Sequence, residues 1–277
     1  MIIIIFGKPG IGKTSLNMAF LKQEFLLEGK NLLESCRYRI SMLNYGRKTP
    51  LTMPDKAPIF SDFEARVKYG YKKQYEPYYI NGFYFGLKNE RLKVLNLPPY
   101  AKIHLCEAQK YFDSRKSKTF PAFVSRAFEM HRHYGLDIIM DVQRLGLIDL
   151  NVREIAGKFI EVVDCIHEED ACGNISKTTW HCREFDSYQS VRDYLEASGK
   201  DYRETTYTNE GNIFDSYNAY GCFDEFVPDD GQDFSYLSHL SRKDVKKLPQ
   251  DVQRYYASGE PKEYRTEPKP EKDKKKC

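Results

Sequence analysis

The chain opens on an unbroken apolar run, Ile2-Ile3-Ile4-Ile5-Phe6, and β-branched residues with no polar alternation predict a strand covered on both faces. From Thr14 to about Gly29, Leu16, Ala19, Phe20, Leu26 and Leu27 recur at roughly helical spacing and predict a helix that Gly29 ends. Between Asn31 and Tyr100 the pattern is weak, with short strands at Ile59-Phe60-Ser61 and from Gly82 to Leu87 around a tyrosine-rich stretch. Strand character returns from Ala101 to Leu105 and again from Leu136 to Val142. Between them, Phe120, Phe123, Val124, Ala127 and Phe128 give an amphipathic helix from Pro121 to Tyr134, with Pro121 suited to its first turn and Gly135 to its C-cap. Asp149 can cap a short helix ending near Gly157, and Ser187 another running through Leu195. Phe159 to Ile166 and Lys177 to Phe185 read as a hairpin around Ala171-Cys172-Gly173-Asn174. Alternating strands and helices give an α/β fold with a mainly parallel central sheet flanked by helices, followed by a C-terminal extension. The expected division is a core over 1–200, an extension over 201–258, and a disordered tail over 259–277, where charge and proline accumulate.

Composition narrows the class without naming a partner. A hydrophobic fraction of 41% supports a real core, and a charged fraction of 30% a well-solvated surface. The net charge of +3 on 277 residues is too small to imply a nucleic-acid partner by itself. Seven cysteines with irregular spacing argue against a disulfide framework and for a reducing compartment. The N-terminal apolar run has no basic flank and is too short for a signal sequence, and no run of about 18 apolar residues could cross a bilayer.

"GKPGIGKT", Gly7 to Thr14, matches G-x-x-x-x-G-K-[ST] in full and lies between a predicted strand and a predicted helix, the context that motif requires. Gly7, Lys8, Pro9, Gly10, Ile11, Gly12, Lys13, Thr14 and Ser15 are therefore the candidate nucleotide-binding residues. Glycines let backbone N–H groups wrap phosphates, Lys13 reaches the β- and γ-phosphates, and Thr14 offers its hydroxyl to Mg²⁺. Hydrolysis needs a carboxylate at the end of a neighbouring strand, and Ile103 to Glu107 supplies Glu107 as the group that polarises water. Cys106 stands where an aspartate would help hold the metal, and a neutral thiol is a soft, poor ligand for a hard ion. Mg²⁺ keeps much of its water, so catalysis weakened at this position need not be abolished.

Three further clusters read as ordinary structure. Cys165, His167, Cys172, His181 and Cys182 crowd one hairpin, but adjacent His181 and Cys182 must point apart, which is not the spacing of a zinc finger or ribbon. Arg66, Lys68, Lys72 and Lys73 interleave with Tyr69, Tyr71 and Tyr75, a mixture that can track a nucleic-acid strand but fits a solvated loop better. His131 and His133 are packing or capping groups near a helix C-terminus.

The glycine loop, "LCEAQKYFDSR" (Leu105 to Arg115) and "HRHYGLDIIMDVQRLGLIDLNVREIAGKFIEV" (His131 to Val162) together resemble the filamentous-phage assembly ATPases of the zonular occludens toxin (Zot)-like family, within the wider HerA/FtsK-like group of oligomeric motors. That resemblance implies a P-loop ATPase using ATP and Mg²⁺ to drive assembly and extrusion of a filamentous virion. It also implies a homo-oligomer at the cytoplasmic face of the host inner membrane, working with phage assembly and export proteins and with single-stranded phage DNA or its coat complex. By the same resemblance, Gln143 sits at a strand tip beside the P-loop strand and senses the γ-phosphate, and Arg153 is a candidate to contact nucleotide, in its own subunit or a neighbour. Two departures stand out. Besides Cys106, Asp141 lies two residues before Gln143 and shares its face of the strand, so it is a candidate to supply the missing carboxylate to Mg²⁺. The transmembrane helix usual in the family is not seen, which leaves attachment to a separate partner or to the basic tail. Two rivals follow: a DNA-packaging or translocating motor of the same group, and a non-hydrolysing, nucleotide-gated scaffold, which Cys106 favours. A secreted toxin would need an export signal that the sequence does not display.

Overall fold

A computed structural model describes residues 1–46, 48, 50, 53–69, 73–75, 78–79, 97–115, 128–129, 131–197 and 199–218. The predicted strand at 82–87, most of the helix from Pro121, Tyr71, Lys72 and the charged tail lie outside the described residues. The strands are β1 (Ile2–Phe6), β2 (Ile59–Ser61), β3 (Glu64–Ala65), β4 (Val67–Tyr69), β5 (Lys73–Tyr75), β6 (Tyr78–Tyr79), β7 (Lys102–Leu105), β8 (Asp137–Val142), β9 (Lys158–Glu169), β10 (Ile175–Phe185), β11 (Arg203–Glu210) and β12 (Tyr217–Asn218). Eight of them form one sheet in the order β11-β10-β9-β1-β8-β7-β2-β6. From β9 to β6 every neighbouring pair is parallel, and β10 and β11 close one side antiparallel. The fold is therefore α/β with a mainly parallel sheet, and the predicted hairpin is β9 and β10, with Gly173 at φ 79° in its turn.

The side-chain period of two separates the faces of this sheet. Ile2, Ile4 and Phe6 of β1, Ile103 and Leu105 of β7, and Ile138, Met140 and Val142 of β8 bury into one core. Ile5, Ile139, Ile160 and Val162 bury into a second core, under α1 (Lys13–Gln23) with its Leu16, Met18 and Leu21. His104, Cys106 and Asp141 have this second parity, so a polar stripe lies on the α1 side of an otherwise apolar centre. Residues 203–218 join the same body: β11 pairs with β10, β12 pairs with β3, and Ile213 is fully buried in the second core.

The helix predicted to stop at Gly29 does not stop there. α1 passes into a π-turn, Glu24–Glu28, and continues as α2 (Gly29–Asn44), with Gly29 at helical φ −52°. Gly29 is buried, with Ala57 as its nearest side chain, and Cys36 and Ile40 carry the helix onward by burying one turn apart. The predicted apolar face also shifts: Met18 and Leu21 are buried, whereas Leu26 and Leu27 in the π-turn are 39% and 69% exposed. Among the described residues, four shorter α-helices follow, α3 (Gln109–Phe112), α4 (His131–Tyr134), α5 (Leu150–Ile155) and α6 (Tyr188–Ala197). Asp149 caps α5 by accepting from the Asn151 amide, Ser187 accepts from the Ser190 amide at the start of α6, and left-handed Gly135 ends α4. His131 is buried and bonds the Phe128 carbonyl through Nδ1, which makes it a packing group whose pKa burial lowers. Among the described residues no helix is long and apolar enough to cross a membrane.

Candidate functional site

Because β1, β8, β7 and β2 run in one direction, their carboxyl ends meet at one edge of the sheet, where α/β folds place ligands. The chain sets Gly7–Ser15 after β1, Asp62 after β2, Cys106 and Glu107 after β7, and Gln143 after β8. Sequence position and sheet order together bring most of the predicted residues to this edge.

Glycine is required in the loop for two different reasons. Gly10 has φ 76° with open space around it, so only its conformation excludes a side chain. Gly12 combines φ 88° with crowding, since a Cβ there would lie 2.9 Å from Cys165 Sγ and 3.1 Å from Trp180 Nε1. Lys8 and Pro9 are exposed, and the partly buried Ile11 closes the loop with its N–H on the Lys8 carbonyl at 3.4 Å. Lys13 is 6% exposed and donates Nζ to the same carbonyl at 2.9 Å. α1 begins with Gly12 at its N-cap and no capping side chain, so no side chain consumes the amides of its first turn. Trp180 braces the turn from β10, donating Nε1 to Gly12 O at 3.1 Å and to Ser15 Oγ at 3.2 Å, while Ser15 Oγ donates to Gly12 O at 2.8 Å.

Across from the loop, Thr14 Oγ1 lies 3.5 Å from Cys106 Sγ. Glu107 follows at φ 50°, a left-handed conformation rare outside glycine and a form of strain that clusters at functional sites. Its carboxylate accepts from Gln143 Nε2 at 3.3 Å and from Gln109 Nε2, so two amide side chains flank it. Behind the turn, Cys106 N–H donates to Asp62 Oδ1 at 2.7 Å and Glu107 N–H to Asp141 Oδ1 at 3.0 Å. Lys110 meets Asp62 Oδ2 at 2.7 Å, and Asn17 Nδ2 meets Asp141 Oδ2 at 3.4 Å. Both oxygens of Asp141 thus face N–H donors of the protein. Burial pushes Asp141 up to about 6, with the charges of Asp62 and Glu107 adding and the bonds from Glu107 N–H and Asn17 opposing. Burial raises Asp62 too, against the lowering pull of Lys110.

The polar stripe continues beneath α1. Asn17 Nδ2 also donates to Leu105 O at 3.0 Å, which leaves Asn17 Oδ1 to accept from His104 Nδ1 at 2.9 Å. On its other side His104 Nε2 lies 2.8 Å from Glu24 Oε2, so the ring bridges Asn17 and Glu24. Lys102 then meets Glu24 at 3.8 Å, Glu28 at 3.5 Å and Asp137 at 2.7 Å.

Arg153 is held elsewhere: its guanidinium donates to the Tyr188 hydroxyl and lies 4.8 Å over that ring. In the hairpin, Cys165 Sγ is 3.9 Å from His167 Nε2, His181 faces Thr206, and Cys182 is buried. Asp62, Asn17, Lys110 and Trp180 belong to the site and carried no motif. Asp62 did carry a signal, since Ile59-Phe60-Ser61-Asp62 is itself a short apolar strand ending in a carboxylate.

Residues 96–205, which hold the Glu107 turn, β8, Arg153 and the hairpin, match the family model described as zonular occludens toxin (Zot). That stretch of the chain is similar to the Zot family. No curated protein matches the chain. Among solved structures, the chain is similar to the N-terminal domain of zonular occludens toxin from Neisseria meningitidis, at 17% identity and TM-score 0.42, over 78% of this chain and 98% of that one. It is also similar to the genome packaging NTPase B204 from Sulfolobus turreted icosahedral virus 2, in complex with ATP-gammaS at 11% identity and TM-score 0.35, and in complex with AMPPCP at 13% and 0.38. Each of these covers 76% of this chain and 97% of the other.

The donor set also tests which ion fits. Thr14 offers a hard oxygen and Cys106 a soft sulfur, while Asp62 and Asp141 already accept hydrogen bonds. Such a set suits Mg²⁺ bound mainly through water and phosphate oxygens, with Thr14 as the protein ligand.

Proposed function

We propose that this chain binds ATP with Mg²⁺ at Gly7–Ser15 and hydrolyses it with Glu107, as an assembly ATPase of a filamentous phage or prophage. The observation that carries this reading is the convergence at one sheet edge of a complete glycine loop and a left-handed glutamate flanked by Gln109 and Gln143. Loop amides and Lys13 would hold the phosphates, Lys13 giving up Lys8 O to do so. Mg²⁺ bound through Thr14 would neutralise phosphate charge. Glu107 would accept a proton from the attacking water, oriented by the Gln143 amide that bonds it directly, and electrostatics and positioning carry the rest. Family resemblance supports a homo-oligomer at the cytoplasmic face of the host inner membrane, acting with phage assembly and export proteins and with single-stranded DNA or its coat complex.

Cys106 favours one other reading, a nucleotide-gated scaffold that does not turn ATP over. Steady-state Mg²⁺-ATPase activity of the full chain separates the two, beside Lys13→Ala and Glu107→Gln. Turnover that both variants abolish, with nucleotide binding kept in Glu107→Gln, supports the ATPase. Tight binding without turnover supports the scaffold, absence of nucleotide binding removes both, and DNA-stimulated turnover moves the chain to the packaging motors.

A further inference from the structure

The backbone of the Glu107 turn is held from behind by two buried carboxylates from two different strands. Asp62, 1% exposed at the end of β2, accepts from Cys106 N–H at 2.7 Å. Asp141, fully buried in β8, accepts from Glu107 N–H at 3.0 Å, and its own carbonyl accepts from Ala108 N–H at 2.9 Å. Three successive amides of the turn are therefore fixed by neighbouring strands, just where β7 has ended and its ladder no longer fixes them. The backbone of Asp62 is itself tied to β7, its N–H on His104 O at 3.2 Å, so the carboxylate cannot drift from the turn it holds.

We propose that Asp62 and Asp141 are positioning residues that fix the left-handed shape of the Glu107 turn, and with it the direction of the Glu107 carboxylate, by accepting consecutive backbone N–H groups. This rests on the reading of Glu107 as the group that handles water. A left-handed glutamate relaxes unless its surroundings over-determine it, and two charge-assisted acceptors do so. The pair is buttressed in turn. Lys110, from the helix that follows the turn, neutralises Asp62, and Asn17 from α1 orients Asp141 while His104 and Glu24 orient Asn17. The arrangement accounts for a neutral residue at position 106. Asp62, Glu107 and Asp141 already place three carboxylates at this turn, and a cysteine there adds no fourth.

The test compares Asp62→Ala, which removes the acceptor, with Asp62→Asn, which keeps one. For Asp62→Ala we expect kcat to fall by about tenfold or more with KM within about twofold, because the loop that binds nucleotide is untouched. Asp62→Asn should recover most of that loss. A readout independent of turnover is alkylation of Cys106 by iodoacetamide, followed by mass spectrometry of its peptide with the buried Cys36 as internal reference. Asp62→Ala should raise the Cys106 rate by about tenfold over Cys36, and Asp62→Asn should not. Unchanged kcat and unchanged Cys106 reactivity in Asp62→Ala would overturn the proposal, as would equal damage from both variants together with an equal rise in Cys36 labelling, the mark of a general loss of folding. If the unmodified chain binds ATP without turning it over, the hydrolytic reading fails and the alkylation ratios still decide this one. Should Asp62→Ala not fold, amide exchange in the unmodified chain decides. Protection of the Cys106 and Glu107 N–H groups comparable with β7 supports the proposal, and exchange as fast as in an exposed loop sinks it.

Discussion

Asp141→Asn is the substitution for which the structure gives both a sign and a size. Asp141 is fully buried with its pKa at about 6, against 3.8 for the same group in water. A carboxyl whose folded pKa lies above its unfolded one binds its proton more tightly in the folded state, so its favourable contribution is complete below pH 4 and is lost as pH rises through about 6. A rise of about two units, at roughly 1.4 kcal/mol per unit, makes the ionised group cost about 3 kcal/mol of stability at pH 7. Asparagine keeps an oxygen for Glu107 N–H and carries no charge, so it removes this cost. It also turns an NH₂ toward Asn17 Nδ2, a clash of donors that does not depend on pH and cancels when pH values are compared. Asp62 retains its carboxyl in both proteins, and losing the Asp141 charge eases its ionisation as well, which adds to the effect in the same direction. Urea denaturation of both proteins at pH 4 and pH 7 measures it. The stability of Asp141→Asn relative to the unmodified chain should rise by about 2–3 kcal/mol from the lower pH to the higher. Parallel profiles, differing by a constant across the range, would refute the burial argument.

Gly12→Ala should cost at least about 2 kcal/mol, from a positive φ combined with a Cβ too close to Cys165 and Trp180, and thermal denaturation reads it directly. Trp180→Phe removes the donor shared by Gly12 O and Ser15 Oγ and should cost about 1–2 kcal/mol in urea denaturation followed by circular dichroism. Gly29→Ala should stabilise by about 0.5–1 kcal/mol, because Gly29 is helical and its Cβ would meet Ala57 at an ordinary 3.8 Å; a loss of stability would mean that the helix does break there. Cys106→Asp should cost roughly 1–3 kcal/mol at pH 7, with a good part recovered when combined with Asp141→Asn, because the new charge joins an existing cluster.

Where one residue pattern had one structural meaning, the fold was legible. Ile2 to Phe6 without a polar break could only be a doubly covered strand, and Asp149, Ser187 and Gly135 marked element ends because capping chemistry is local. The length of the first helix was not legible. Gly29 is as good a stop as any in the chain, and only tertiary burial of Cys36 and Ile40 overrides it. The π-turn was invisible for a related reason. It inserts one residue into the helical period, so Leu26 and Leu27 moved off the predicted face.

The site divides along the same line. The glycine loop and Glu107 could be proposed from the chain because motif chemistry sets residue type at a set spacing, whereas Gln143 entered only through the family resemblance. Asp141 was singled out as a metal ligand and Asp62 not at all, and their contacts with the Glu107 turn could not be read because sheet order sets them: Asp62, Glu107 and Asp141 are far apart in sequence but lie at or near the ends of adjacent strands β2, β7 and β8. Sheet order also gives the substitution at position 106 a physical reading. Read along the chain, Cys106 is an aspartate missing from a motif. Read across the sheet, negative charge has not left the site. It sits on the two neighbouring strands, on carboxylates that each aim one oxygen at a backbone N–H of the turn. Because these carboxylates hold the turn, disturbing Asp62 or Asp141 should change the rate at which Glu107 acts before it changes what the glycine loop binds.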